Sequence, residues 1–350
     1  MKGLRLYLAP FAPDQAGAAA VLCELGGLVV IVDAGGCAGN ICGFDEPRWF
    51  SRRSAVFSAG LRDMDAILGR DDRLIAKICD ASAKLKKNFI ALIGTPVPAV
   101  IGTDYRALCR ILTSKTGLPA FYVDTDGTRL YDDGASRTWL ALTRTFARQG
   151  KKAEDRVGVL GASPMDFGNI DMQAALKEQS ARMGGARLLP YGMGAGFEDV
   201  LQMACVRENL VIAPSGLAAA RFLQKEFAIP YKACCVPELI PGLEQILREC
   251  KKRSVRNILI VHQQLLAGSL REQLRRFLPP GTVIRTGTFF KMDRDCMESG
   301  DLKISSEEEW IHVLAEGGWD LLIGDKLLFD VPAGDIPFLP LPHFAVSGGI

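Results

Sequence analysis

From Gly27 onward the chain repeats one pattern. A short run of apolar, mostly β-branched residues is followed by a longer stretch with apolar residues at three- and four-residue spacing. Short apolar runs bounded by turn residues suit strands buried on both faces, and the longer amphipathic stretches suit the helices that cover them. The pattern predicts strands at 27–32, 89–93, 120–123, 157–160, 209–213, 257–261, 282–285 and 321–323. It predicts helices at 105–115, 136–148, 171–182, 198–208, 217–227, 243–252 and 269–277. Such alternation is the signature of parallel sheets built with crossover helices. Two charge clusters, RQGKKAEDR at 148–156 and RECKKRSVR at 248–256, read as solvated joints just ahead of strands. Cutting there gives three units: a first α/β domain over 1–150, a central one over 151–250, and a third over 251–350. The expected fold is α/β, three Rossmann-like units with mostly parallel sheets around a central cleft. The C-terminal stretch PFLPLPHFAVSGGI, rich in proline and apolar residues, is expected as an extended tail packed on another domain.

Composition removes several classes of function. A formal net charge of +2 gives no general field for recruiting nucleic acid or an acidic membrane surface. The apolar run 25–32 stops at Asp33, far short of the roughly 18 residues a spanning helix needs. Paired-histidine zinc motifs are absent, since the only histidines are His262, His312 and His343. Ten cysteines in a chain of this length, starting without a basic segment of the secretory type, read as free thiols in a reducing cytoplasm.

The segment richest in chemistry is 33–49, DAGGCAGNICGFDEPRW, where an apolar run ends in a glycine-rich loop holding Cys37 and Cys42. Open α/β sheets bind ligands at the carboxyl ends of their strands, which is where this loop falls. Gly35, Gly36, Gly39 and Gly43 would let backbone amides approach a sulfide-rich cluster. Two thiolates in Cys-x4-Cys spacing suit a soft metal, but a closed 4Fe-4S site usually takes four. A dimer with this loop on its two-fold axis would complete the set. Against this stands the plain reading that both cysteines pack in a tight turn. Cys23 precedes the loop and is a weaker third candidate. Arg48 and Trp49 either tune a cluster or anchor the next element.

Other features have plainer readings beside the functional ones. Gly192, Gly194 and Gly196 imitate a phosphate loop but lack its strand and its spacing. Cys234 and Cys235 read as packing, because adjacent extended side chains diverge. Asp132 and Asp133 read as a turn or helix cap, with proton delivery the rival, and Glu307–Glu309 as the acidic first turn of a helix.

The loop and several segments in order resemble the nitrogenase component 1 superfamily, which includes nitrogenase subunits, their cofactor-assembly scaffolds and the tetrapyrrole reductases. GGC at 35–37 resembles the family's glycine-cysteine loop that ligates a bridging cluster. FSAGLRDMDAILGRDDRLIAKI at 57–78 resembles its segment in which an acidic residue, an apolar run and a glycine precede a helix. FIALIGTPVPAVIGTDY at 89–105 is similar to its strand and Cys-Pro loop, and NLVIAPSGLAAARFLQKEFAIPY at 209–231 to its strand-helix unit ending in Gly-Ile-Pro.

The departures are as informative. Thr95 stands before Pro96 where the family has its second cluster cysteine, and LAPFAPDQAGA offers no cysteine where nitrogenase subunits have a further ligand. The region after 209–213 reads VIAPSG, without the cysteine that holds a molybdenum-iron cofactor. The resemblance therefore implies a 4Fe-4S cluster held by Cys37 and Cys42 at a subunit interface, no molybdenum-iron cofactor, and no reduction of dinitrogen. It also implies a homodimer, or a heterodimer with a related subunit. A separate ATP-dependent iron-sulfur reductase would supply electrons, because this chain carries no Walker A sequence. The expected activity is that of an oxidoreductase reducing an unsaturated substrate, with a tetrapyrrole favoured by family analogy. The alternative is a scaffold or binding protein that holds a metal cluster or tetrapyrrole without turnover.

Overall fold

A computed structural model describes residues 5–48, 55–194, 196–332 and 334–348. Among these residues thirteen strands form three sheets, and every strand pairing is parallel. The first sheet holds β1 (Leu28–Ile31), β2 (Ala55–Ser58), β3 (Ile90–Ile93) and β4 (Ala120–Val123) in the order β2-β1-β3-β4. The second holds β5 (Ala153–Leu160), β6 (Arg187–Pro190), β7 (Val206–Val211) and β8 (Tyr231–Ala233) in the order β6-β5-β7-β8. The third holds β9 (Asn257–Val261), β10 (Val283–Thr288), β11 (Leu302–Lys303), β12 (Leu321–Gly324) and β13 (Phe338–Pro340) in the order β11-β10-β9-β12-β13. Each is a Rossmann-like unit in which the chain leaves a central strand, builds one side, then crosses back to build the other. The point of reversal in the first sheet lies between β1 and β3, where open α/β sheets form their ligand crevice.

Period-two alternation divides β1 and β3 between two cores. Val29, Ile31, Ala91 and Ile93 face the helices Asp14–Leu22 and Tyr131–Phe146, while Leu28, Val30, Ile90 and Leu92 face the helices Asp71–Lys84 and Tyr105–Thr116. Both faces are covered, which explains runs without polar alternation. The helices Asp14–Leu22 and Tyr131–Phe146 cross at backbone distance: a Cβ on Gly17 would strike the Tyr131 carbonyl, and one on Gly134 the Asp14 carbonyl. Two glycines in the sequence thus fix the closest helix crossing on this face.

Three expectations are corrected. The helix expected over 198–208 is a single turn, Phe197–Val200, because β5 begins early and pairs Ala153 with Val206, drawing that stretch into β7. The segment expected as a loop over 33–49 winds into a helix at Gly36–Asn40 and a π turn at Ile41–Asp45, while Trp49 lies outside the described residues. The tail begins as β13, an edge strand of its own sheet, where Pro340 is tolerated because only one side of the strand is paired. Beyond it the tail does cross to the other units: Ala12 donates its N–H to Ala345 O at 3.0 Å, and His343 is buried among residues of all three.

Candidate functional site

The chain leaves β1 at the crevice, and Asp33 organises the turn and helix beyond the strand. Its Oδ2 accepts the Ala38 N–H at 2.8 Å and its Oδ1 accepts the Ser58 hydroxyl at 2.6 Å, tying the new helix to the end of β2. Gly35, at φ +119°, adopts a backbone conformation that a side chain would resist, and the helix starts directly after it. Cys37 falls in the first turn and Cys42 at the start of the π turn, both half-buried.

Across the crevice, Thr95 directly precedes the helix Pro96–Ile101 that follows β3. It is fully buried, its hydroxyl donates to Val32 O at 2.7 Å, and it lies beside the Cys37 thiol. Burial pushes the Cys37 thiol up, Asp33 adds to that push, and the Thr95 hydroxyl opposes it. Burial likewise raises Cys42, reinforced by Glu46 and Asp33. Both therefore stand as thiols at neutral pH, and a cation would have to displace their protons.

The surroundings of the pair are open. Gly36, Gly39 and Gly43 have ordinary backbone angles, and a Cβ on any of them would meet nothing within 4 Å. Neither conformation nor internal packing calls for glycine there, which leaves space for a body outside the chain. Large apolar side chains stand exposed along the same carboxyl edge of the sheet: Phe44 (77%), Ile67 (74%) and Val100 (86%), with Leu68, Val97 and Ile101 also exposed. Isolated exposed apolar residues are normal, but a group of them along one edge marks an interaction surface.

The other candidates separate from this pair. Cys23 ends the helix Asp14–Leu22, buried beside the Arg48 guanidinium. Arg48 anchors the segment: its guanidinium binds Glu46 at 2.7 Å, Ala20 O at 2.6 Å and Glu24 at 3.2 Å. Among the described residues, no three His, Cys, Asp or Glu side chains are grouped to hold a metal ion. Gly194, in the glycine-rich turn, donates its N–H to the Glu24 carboxylate of the same chain at 2.7 Å. Asp133 pairs with Arg137 at 2.7 Å and Lys291 at 2.9 Å, and Asp132 accepts the Lys291 N–H, so both brace the first unit against the third.

Sequence reasoning missed a second constellation, at the meeting point of the three units. Tyr131 Oη lies 2.6 Å from Asp166 Oδ1 and 3.0 Å from His343 Nε2, and the His262 ring stacks on His343 with centroids 4.1 Å apart. All four residues are buried. Burial, with Asp132 adding to it, pushes the Asp166 carboxyl up to about 8. Burial pulls His262 down to about 4 and His343 well below the usual imidazole range. The 3.8 Å approach of His343 to Asp166 is thus a contact of neutral groups bridged by the tyrosine hydroxyl, not an ion pair.

The profile of the nitrogenase component 1 type oxidoreductases matches residues 14–260, and the chain belongs to that family. Two solved structures share its fold. One titled "Nitrogenase Cp1 at pH 6.5" superposes with a TM-score of 0.72 at 13% identity, over 97% of this chain and 87% of that one. Another, "Nitrogenase Cp1 at pH 5", gives 0.71 at 16% identity, over 100% of this chain and 86% of that one. No curated protein sequence matches the chain. Among the described residues no helix is long and apolar enough to cross a membrane.

Proposed function

We propose that this chain is the cluster-carrying subunit of a nitrogenase-like reductase that works in the cytoplasm. Its Cys37 and Cys42, with the equivalent pair of a second copy or a related subunit, would hold one 4Fe-4S cluster at the interface. One observation carries the reading: two half-exposed thiols sit on the switch-point crevice, with unexplained glycines around them and exposed apolar side chains along the same edge. The donor set fits such a cluster in kind, being soft sulfur, and falls short of it in number within one chain, so a partner surface is required.

When bound, the cluster would supply acceptance and release of single electrons. The chain's own residues would do the rest. Asp33 holds the helix carrying Cys37 in place through Ala38, Thr95 seats the opposite wall, and Phe44, Val97 and Val100 would exclude water once covered. ATP hydrolysis would belong to a separate iron-sulfur reductase. The substrate would be an unsaturated molecule, with a tetrapyrrole the class that family analogy supports. The three units would serve as separate bodies, 1–150, 151–250 and 251–350, that frame the substrate.

Anaerobic reconstitution with iron and sulfide, followed by electron paramagnetic resonance of the reduced protein, tests the reading. Wild type should show a reducible cluster that Cys37→Ala and Cys42→Ala each lose. Wild type that stays iron-free would overturn it, and a cluster retained in Cys42→Ala would move the second ligand to Cys23 or to the partner chain. A cluster that forms but passes no electrons to any substrate would favour the scaffold alternative.

A further inference from the structure

The outer edge of the first sheet carries a groove that the proposed function does not use. β4 is the last strand of the sheet, and its inward bonds to β3 run through alternate residues: Ile90 N–H donates to Pro119 O at 2.9 Å and Gly94 N–H to Val123 O at 3.2 Å. In a parallel ladder the residues between, Ala120 and Tyr122, turn their N–H and C=O outward. The outward row is closed at its ends, where Ala120 N–H donates to Thr113 Oγ1 at 3.1 Å and Arg137 donates to Asp124 O at 2.9 Å. Between them, Tyr122 N–H and C=O have no partner among the described residues.

That open edge floors a cavity of about 630 Å³ between the helices Tyr105–Thr116 and Tyr131–Phe146. Arg106 and Arg110 line it from the first helix, Arg137 and Arg144 from the second, and Asp124 is the only carboxylate in its described lining. Arg137 is neutralised by Asp133 at 2.7 Å and Asp124 at 3.5 Å, and Arg144 lies 5.7 Å over the Phe222 ring. Arg106 and Arg110 form no ion pair with any described residue. In a chain of near-zero net charge, the three arginines that remain, Arg106, Arg110 and Arg144, make a local positive field around one unpaired strand edge.

We propose that this groove docks an acidic, extended segment of a partner polypeptide, which adds as a strand against β4. Strand addition would satisfy Tyr122 N–H and C=O, while acidic side chains reach Arg106 and Arg110. An exposed strand edge is normally blunted by charge, proline or a covering element. Here the charge left without an ion-pair partner, on Arg106, Arg110 and Arg144, is all positive, so it repels basic segments and selects acidic ones.

The test is fluorescence anisotropy of the full-length protein with a labelled short peptide of alternating glutamate and valine, and with the same peptide N-methylated on alternate backbone amides. Saturable binding is expected, weakened about tenfold or more by Arg106→Glu with Arg110→Glu and to a similar degree by N-methylation. Tyr122→Pro removes the outward N–H and should weaken binding, whereas Tyr122→Ala removes the ring that stacks on Tyr105 but keeps the N–H and should bind more tightly than the proline variant. Circular dichroism of each variant confirms that it is folded, and the arginine pair is exposed, so its reversal leaves the core intact. No binding of the glutamate peptide would overturn the proposal. So would equal affinity for the N-methylated peptide, or displacement by tripolyphosphate at lower concentration than by unlabelled peptide, which would mark a site for small anions.

Discussion

The four-residue cluster where the units meet makes a quantitative prediction about pH. Asp166 is fully buried, with Oδ1 2.6 Å from the Tyr131 hydroxyl and Oδ2 without a partner among the described residues. Burial pushes its carboxyl up to about 8, against about 4 in an unfolded chain. Between those values the folded protein holds a proton that the unfolded chain has released. Stability from this group is therefore fully present below about pH 4 and is lost as pH rises toward 8. The slope for one proton is about 1.4 kcal/mol per pH unit. His262 and His343 act in the opposite direction, since both stay neutral when folded and take up protons when unfolded below about pH 6.5. Comparing wild type with Asp166→Asn, which imitates the neutral carboxyl, isolates the aspartate. From pH 5 to pH 7 wild type should lose about 3 kcal/mol of unfolding free energy relative to the variant. Urea unfolding followed through the buried Trp139 and Trp310 reads this directly. A difference that stays flat with pH, or one in which wild type gains on the variant, would refute a protonated Asp166 and would mean that its charge is compensated inside the fold.

Two further predictions rest on the same packing and chemistry. Gly17→Ala forces a methyl into the Tyr131 backbone and should cost about 1–3 kcal/mol or more, whereas Gly268→Ala, where the space is open and the residue is helical, should stabilise by up to about 1 kcal/mol; thermal denaturation of the two variants should move in opposite directions. Because Cys37 and Cys42 are both raised above the ordinary thiol value, iron loading must release their protons, and apparent affinity should rise about tenfold per pH unit for each proton released between pH 7 and pH 9. Loading titrations at fixed iron that show no dependence on pH would contradict that coupling.

How far each element is legible in the sequence depends on how local its signal is. β1 and β3 announce themselves because they are buried on both faces, whereas β2, exposed over Phe57 and Ser58, carries no such signal and is absent from the expected strands; the helices Leu217–Phe227 and Leu243–Lys252 begin and end at the expected residues because one amphipathic period runs through each. The stretch after Phe197 misleads because its apolar spacing satisfies a helix until pairing with β5 decides the matter. Cys37 and Cys42 are legible from the glycines around them, and Gly35 turns out to be required by its backbone angle. Thr95 stands out in the sequence only as a missing cysteine; its place beside Cys37 comes from the parallel register of β1 and β3, which no spacing encodes. The Tyr131–His343 contact spans 212 residues, and neither residue sits in a local pattern that marks it.

The central claim is that one chain supplies half of a cluster site. Iron and sulfide analysis combined with sedimentation equilibrium on the anaerobically reconstituted protein tests it most directly. The account predicts a dimer carrying about four irons per two chains, with both the iron and the dimer lost in Cys37→Ala. A monomer carrying a complete cluster, or a dimer that stays iron-free, would contradict it.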